Sequence, residues 1–274
     1  MSKEMDQSHG RIGIVGLGSI GKSLALALDT GIAGLKLTAV AARDPESATA
    51  WLQRLDCPPP VVSIEQMPEH CDLVIECAPS ALLPAIMEPV LRAGKKVLVL
   101  SVGALLDRPE LIELAKSHGG QIIVPTGALL GLDAVTAAAE GRINSVRMVT
   151  RKPIEGLLGA PFLVERNIDI GGLTEPLRLF SGSAREGAKG FPANLNVAVA
   201  LALAGIGPDK TQLEIWADPT VERNTHSIDV DSDSASFTMT IRNIPSENPK
   251  TGRITAQSVL SLLRKMSAPV RVGT

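Results

Sequence analysis

The first 125 or so residues alternate between short apolar runs and longer stretches whose apolar positions recur every three or four residues. The runs are Arg11–Val15, Leu35–Ala42, Leu73–Cys77, Lys96–Leu100 and Gln121–Val124. Between them Lys22–Asp29, Pro45–Leu55, Ala81–Ala93 and Arg108–His118 carry the helical period, with Leu24, Ala25 and Leu28 sharing one face of the first. Pro58-Pro59-Pro60 closes the second. Continuous apolar strands separated by helices predict a parallel sheet covered on both faces, because each parallel neighbour is reached only by a crossover. The expectation is a doubly wound α/β domain over residues 1–133, preceded by a polar, disordered stretch at residues 1–10.

After Gly131-Leu132-Asp133 the texture changes. Ala134–Glu140 predicts a short helix and Ser145–Thr150 a strand. Lys152–Pro161 is rich in Gly and Pro, and Gly182–Pro192 is glycine-rich without an apolar period, so it reads as a loop. Asn194–Ala204 predicts an alanine-rich helix closed by Gly205. Leu213–Ala217, Ser227–Asp231 and Ser236–Arg242 alternate as half-buried strands do, and they follow one another directly. That order predicts an antiparallel or mixed sheet, hence a smaller α+β domain over 134–249. Thr251–Met266 reads as an amphipathic helix with Ile254, Val259, Leu262 and Leu263 on one side.

Composition narrows the class. Across 274 residues, 27 Lys and Arg oppose 29 Asp and Glu, a net charge of −2. No basic excess is available to displace phosphate counterions, which argues against a nucleic-acid partner. The apolar runs fall far short of the roughly 20 residues that cross a bilayer, so no membrane association is expected. The N-terminus is polar and lacks the apolar region of a signal peptide. Cys57, Cys71 and Cys77 form no paired or zinc-type spacing. They read as reduced thiols of a cytoplasmic protein without a bound metal.

Gly16-Leu17-Gly18-Ser19-Ile20-Gly21 follows the first strand and opens the first helix. A G-x-G-x-x-G string alone is weak, but in this context it is the turn of a Rossmann-type dinucleotide fold. Gly16 permits the tight turn, Gly18 lets the backbone approach a pyrophosphate, and Gly21 lets the helix pack on the strand. The N–H groups at Ser19 and Ile20 face the anion. The carboxylate that usually binds the ribose 2′-hydroxyl of NAD belongs at the end of the second strand. Ala42 occupies that place, with Arg43 and Asp44 beside it. Two readings of Arg43 stay open: a solvated charge, or the partner of a 2′-phosphate, which would admit NADP alongside NAD. Small residues at the other strand ends, including Ala78, Pro79 and Ala128, leave room for a nicotinamide and its ribose. The chain has no Tyr, which excludes the Tyr–Lys proton relay of short-chain reductases.

Several unusual strings occur in a fixed order: ECAPS (76–80), PTGALLGLDA (125–134), KGFPANLNVA (189–198), RNTH (223–226) and SENPKTGR (246–253). With the glycine loop they span essentially the whole chain, which resembles the L-aspartate dehydrogenase family. The resemblance implies a nucleotide domain plus an α+β domain for substrate and oligomer contacts, with the C-terminal helix (250–274) returning to the nucleotide domain. It implies oxidation of L-aspartate with NAD or NADP to iminoaspartate, which yields oxaloacetate and ammonia or feeds NAD biosynthesis, in a homodimer. Residue for residue, it assigns catalysis to His226 and nicotinamide-side contacts to Ala128 and Asn196. From the residues alone the reading of His226 as a histidine without a task is the favoured one, and Asn196 also reads as a helix cap. An unperturbed imidazole would serve as base and acid near neutral pH. For the two substrate carboxylates the candidates are Lys189, Arg223, Asn224 and Thr225, which spacing does not rank. The expectation is that the reactive ring of a dinucleotide on the N-terminal sheet meets this imidazole. The rival readings are a two-domain reductase of the dihydrodipicolinate or homoserine type, and a non-catalytic NAD(P) sensor.

Overall fold

Five apolar runs form the strands of one parallel sheet. The computed structural model describes residues 10–192, 195–245 and 252–273. The expectations for residues 1–9, for Asn194 and for Ser246–Thr251 lie outside the described residues. Chain order runs β1 (Gly10–Val15), α1 (Ser19–Gly31), β2 (Leu35–Ala41), α2 (Pro45–Leu52), α3 (Met67–His70) and β3 (Leu73–Glu76). It continues with α4 (Leu83–Arg92), β4 (Lys96–Val99), α5 (Pro109–His118) and β5 (Gln121–Ile123). The strand order β2-β1-β3-β4-β5, all parallel, reverses direction between β1 and β3. In such sheets ligands bind at the carboxyl ends beside that reversal. Asp44 caps α2, accepting from the Ser47 N–H at 3.1 Å, and Pro45 occupies the first turn, where its missing N–H costs nothing. The stretch expected as one helix from Ala81 instead begins as a 3-10 turn, Ser80–Leu82, before α4.

The rest of the chain comprises α6 (Leu132–Ala139), β6 (Ile143–Lys152), α7 (Pro161–Glu165), β7 (Leu177–Ser183), α8 (Ala184–Gly190) and α9 (Asn196–Ala204). Then follow β8 (Gln212–Ala217), β9 (Thr225–Ser232), β10 (Ser236–Arg242) and α10 (Ile254–Ser267). Its sheet, β10-β9-β6-β8-β7, is mixed: β6 and β8 run parallel and the other neighbours antiparallel. One face carries Val146, Met148, Leu213, Ile215, Ile228 and Val230 into a core closed by Val135, Leu163, Ala198 and Leu201. Strand alternation alone dictates this, since every second side chain faces inward.

Two expectations are corrected. Gly182–Pro192 is not a loop: it holds the end of β7 and all of α8. Its glycines are packing residues; a Cβ on Gly187 would stand 2.7 Å from the Leu213 side chain. Ser183 and Glu186 form a reciprocal capping box that starts α8, with Ser183 N–H donating to Glu186 Oε2 at 2.8 Å. Second, Ile254 is exposed, so the apolar stripe of α10 is carried by Val259 and Leu263, which join the Ile12, Leu24 and Leu37 core. The alanine-rich helix α9 is buried over Ala198–Ala202. The sequence reading divides the chain at 133 and 249; the two compact units are residues 10–125 with 259–272, and 126–258.

Candidate active site

In the first unit, the turn after β1 is shaped by three different demands on glycine. Gly16 stands at φ +99°, a region L side chains avoid, and its N–H donates to the Ala41 carbonyl at 2.8 Å. A Cβ there would also lie 2.6 Å from the Cys77 carbonyl oxygen. At Gly21 a Cβ would run into the Gly16 carbonyl oxygen. Gly18 differs: nothing lies within 4 Å of where its Cβ would be. It is the N-cap of α1, without a side-chain cap bond and without an acidic residue in the first turn. The first N–H groups of the helix, those of Ser19 and Ile20 among them, therefore keep their partial positive charge for an anion.

Beside this turn lies a cleft of about 870 Å³, lined by Gly18, Lys22, Arg43, Trp51, Ala78 and Pro79 among others. Its volume suits a sizeable part of a dinucleotide. Arg43 is exposed on its rim just past β2. Asp44 next to it is committed to α2: its Oδ2 accepts the Ser47 hydroxyl at 2.6 Å, and these bonds hold its pKa below the usual carboxylate value. The far wall, Val61–Gln66, escaped the sequence reading. It is held by Val62 N–H donating to the Val40 carbonyl at 2.9 Å, and the sequence marks it only by the three prolines before it.

Glu76, also missed, ends β3 fully buried. Its carboxylate accepts from the N–H groups of Ala78 (3.1 Å), Leu100 (3.0 Å) and Ser101 (2.8 Å), and from the Ser101 hydroxyl at 3.0 Å. It ties together the loops that leave β3 and β4 at the ligand end of the sheet. Burial pushes its pKa up, against four donors that favour the charged form.

In the second unit, the buried face of the mixed sheet turns polar at one end. His226 on β9 is 3% exposed, and its Nδ1 lies 3.1 Å from the Thr150 hydroxyl directly opposite on β6. Lys152, two residues further along the same face, is also 3% exposed. Burial, aided by the Lys152 charge, drives the His226 pKa down to about 3. Burial lowers Lys152 to about 8. This corrects the expectation of an unperturbed imidazole: burial keeps His226 neutral throughout the physiological range. Lys152 had a sequence signal, since Val146, Met148, Thr150 and Lys152 keep period two. It was passed over because the strand was ended at Thr150.

The remaining expected residues fall in different surroundings. Ala128 is half-buried, and its carbonyl accepts the side chain of buried Asn243 at 2.9 Å, another residue the sequence reading missed. Asn196 is the first residue of α9; the cap position belongs to Leu195, which makes no side-chain cap bond. Asn224 and Thr225 are half-buried at the start of β9, beside His226 in sequence. Arg223 is exposed, and Lys189 is exposed on the last turn of α8 near Glu186.

Residues 16–125 match the family model described as the NAD-binding domain of homoserine dehydrogenase, over the segment that carries the glycine turn. With a second, mixed-sheet unit in the same chain, this is the build of a two-domain nicotinamide-dependent oxidoreductase. Residues 133–266 match the model described as aspartate dehydrogenase, C-terminal. An L-aspartate dehydrogenase of Bordetella bronchiseptica is 67% identical, over 96% of this chain and 97% of its own. One of Bradyrhizobium diazoefficiens is 61% identical, over 100% and 98%. The crystal structure of aspartate dehydrogenase from Thermotoga maritima shares the fold, with a TM-score of 0.73 at 24% identity over 97% of this chain and 100% of that one. The chain belongs to the aspartate dehydrogenase family.

Proposed function

We infer that the protein oxidises L-aspartate with NAD or NADP to iminoaspartate, which water converts to oxaloacetate and ammonia. The observation that carries this is the 67% and 61% identity to L-aspartate dehydrogenases over nearly the full chain, together with a buried, neutral His226. When bound, the nicotinamide supplies a hydride acceptor for the Cα–H bond of aspartate. Gly16, Gly18, Ser19, Ile20 and Gly21 hold the phosphates, and Ala78 and Pro79 line the same cleft. Ala128 and Asn196 contact the nicotinamide side, as the family resemblance implies. Arg43, exposed on the rim of this cleft, pairs with a 2′-phosphate. NADP is therefore accepted beside NAD.

His226 then handles the proton. Its Nδ1 pairs with the Thr150 hydroxyl; in the tautomer whose Nδ1–H donates to that hydroxyl, Nε2 carries the lone pair. It takes a proton from the water that adds to the iminium carbon, giving a carbinolamine, and returns that proton to the nitrogen; the C–N bond then breaks as the carbinolamine hydroxyl gives its proton to Nε2 and becomes the carbonyl of oxaloacetate, and ammonia leaves. Half-buried Asn224 and Thr225 are substrate-contact candidates. The protein works in the cytoplasm as a homodimer, and its iminoaspartate is available to NAD biosynthesis.

The deciding assay compares aspartate-dependent reduction of NAD and NADP side by side. Turnover is expected with both, and the reverse reaction is expected with oxaloacetate plus ammonia but not with dihydrodipicolinate or aspartate semialdehyde. His226→Ala is expected to lose about a thousandfold in kcat while its NAD(P) affinity holds. A sensor would bind cofactor and be indifferent to that change.

A further inference from the structure

We propose that Lys152 receives one carboxylate of the dicarboxylate substrate beside His226, a role that rests on the aspartate reading above. The register fixes the pair. Thr150 lies opposite His226 across β6 and β9, and Lys152 follows on the same buried face. Diagonal neighbours of an antiparallel pair stand roughly 7–8 Å apart, within reach of a long side chain. The polar end of the sheet thus brings an imidazole and an ammonium to one place, both shielded from water.

Among the described residues, the other charged groups near this end face solvent or the opposite side of the sheet, or are held by Arg151 and Thr220. Arg151 points to the opposite face, where it stacks on Trp216 at 4.8 Å and bonds Asp218 Oδ2 at 2.9 Å. Asp218, at the end of β8, gives its other oxygen to the N–H and hydroxyl of Thr220, at 2.9 and 2.6 Å. Arg223 before β9 and Arg242 on β10 are exposed, and the residue opposite His226 on β10 is Ile241. Among the described residues, Lys152 is the charge that acts on the imidazole.

Two consequences follow from elementary electrostatics. An ammonium out of water pairs more strongly with a carboxylate than an exposed Lys189 or Arg223 would, because no solvent screens the pair. Its positive charge also opposes a proton on His226. A substrate carboxylate at Lys152 cancels that charge and raises the proton affinity of the imidazole at the stage when the attacking water must lose its proton. Lys152 therefore selects a dicarboxylate and makes His226 a stronger base only when one is bound.

The test uses the full chain with Lys152→Met. The expected result is a rise of about a hundredfold in KM for aspartate and for oxaloacetate, with KM for NAD(P) within twofold of the parent. An unchanged aspartate KM in a variant that keeps its cofactor KM overturns the proposal. Calorimetry of succinate binding to the parent protein loaded with NAD decides the matter independently of whether the variant folds. Its Kd should hold steady below pH 8 and rise toward tenfold per pH unit above it, as the ammonium that binds the dianion is lost. A Kd flat from pH 7 to 10 sinks the idea. Absent aspartate oxidation by the parent would instead overturn the functional reading, which the succinate titration does not depend on.

Discussion

A buried imidazole whose proton affinity is depressed leaves a trace in stability as well as in catalysis. In the unfolded chain His226 takes up a proton below pH ~6.5, whereas in the folded protein it does so only near about 3. The unfolded state binds more protons between those values, so stability is complete above pH 6.5 and falls as the pH drops through that window. Urea unfolding at pH 7.5 and pH 5 should show the parent losing about 2 kcal/mol more than His226→Gln. Equal losses would mean that the imidazole is hydrated. Arg43 belongs to the same scale. Arg43→Ala should raise KM for NADP about tenfold and leave KM for NAD within twofold, since only the 2′-phosphate can use the guanidinium. Parallel changes in both would reduce Arg43 to a surface charge. The glycine loop was legible residue by residue because each glycine answers a local demand. Thr150, Lys152 and Glu76 were not, because what makes them special is a neighbour 24 to 76 positions away.

At the scale of elements, the apolar period located most strands and helices to within a few residues, but not α3, α7, β7 or α8. Two of these share a cause. β7 (Leu177–Ser183) and α8 (Ala184–Gly190) were missed because glycine there reads as flexibility, whereas the packing uses it as absence of bulk. The capping box at Ser183 and Glu186 was a local signal that could have found α8. α10 illustrates the converse. Its sequence predicts an amphipathic helix, and the fold selects Val259 and Leu263 as its buried pair. Leu263→Ala removes a fully buried side chain from the first core and should cost roughly 2–4 kcal/mol in denaturant unfolding. Ile254→Ala, at the exposed start of the same helix, should cost under ~1 kcal/mol. Similar losses from both would contradict the assigned faces.

On the scale of the whole molecule, the mixed sheet leaves one face to be accounted for. There Trp216 lies between the guanidinium groups of Arg151 (4.8 Å) and Arg178 (5.8 Å), and Arg147 bonds Glu214 at 2.8 Å. Aromatic and arginine side chains are the types enriched where chains associate, and a two-fold pairing uses one such patch twice. We propose this sheet face as the surface of the homodimer, since α9 is buried. Sedimentation equilibrium at micromolar concentration should return twice the chain mass. A monomer under those conditions removes the dimer from the account.

The sequence by itself determined the class of each half, the position of the phosphate turn and the family. These depend on period, on spacing and on the conformational freedom of single residues, all of which are local. Only the tertiary structure decided that Glu76 closes two loops, that His226 is held neutral, and that Lys152 shares its face. Burial and charge proximity are properties of a place in space, and the place exists only once distant strands have paired.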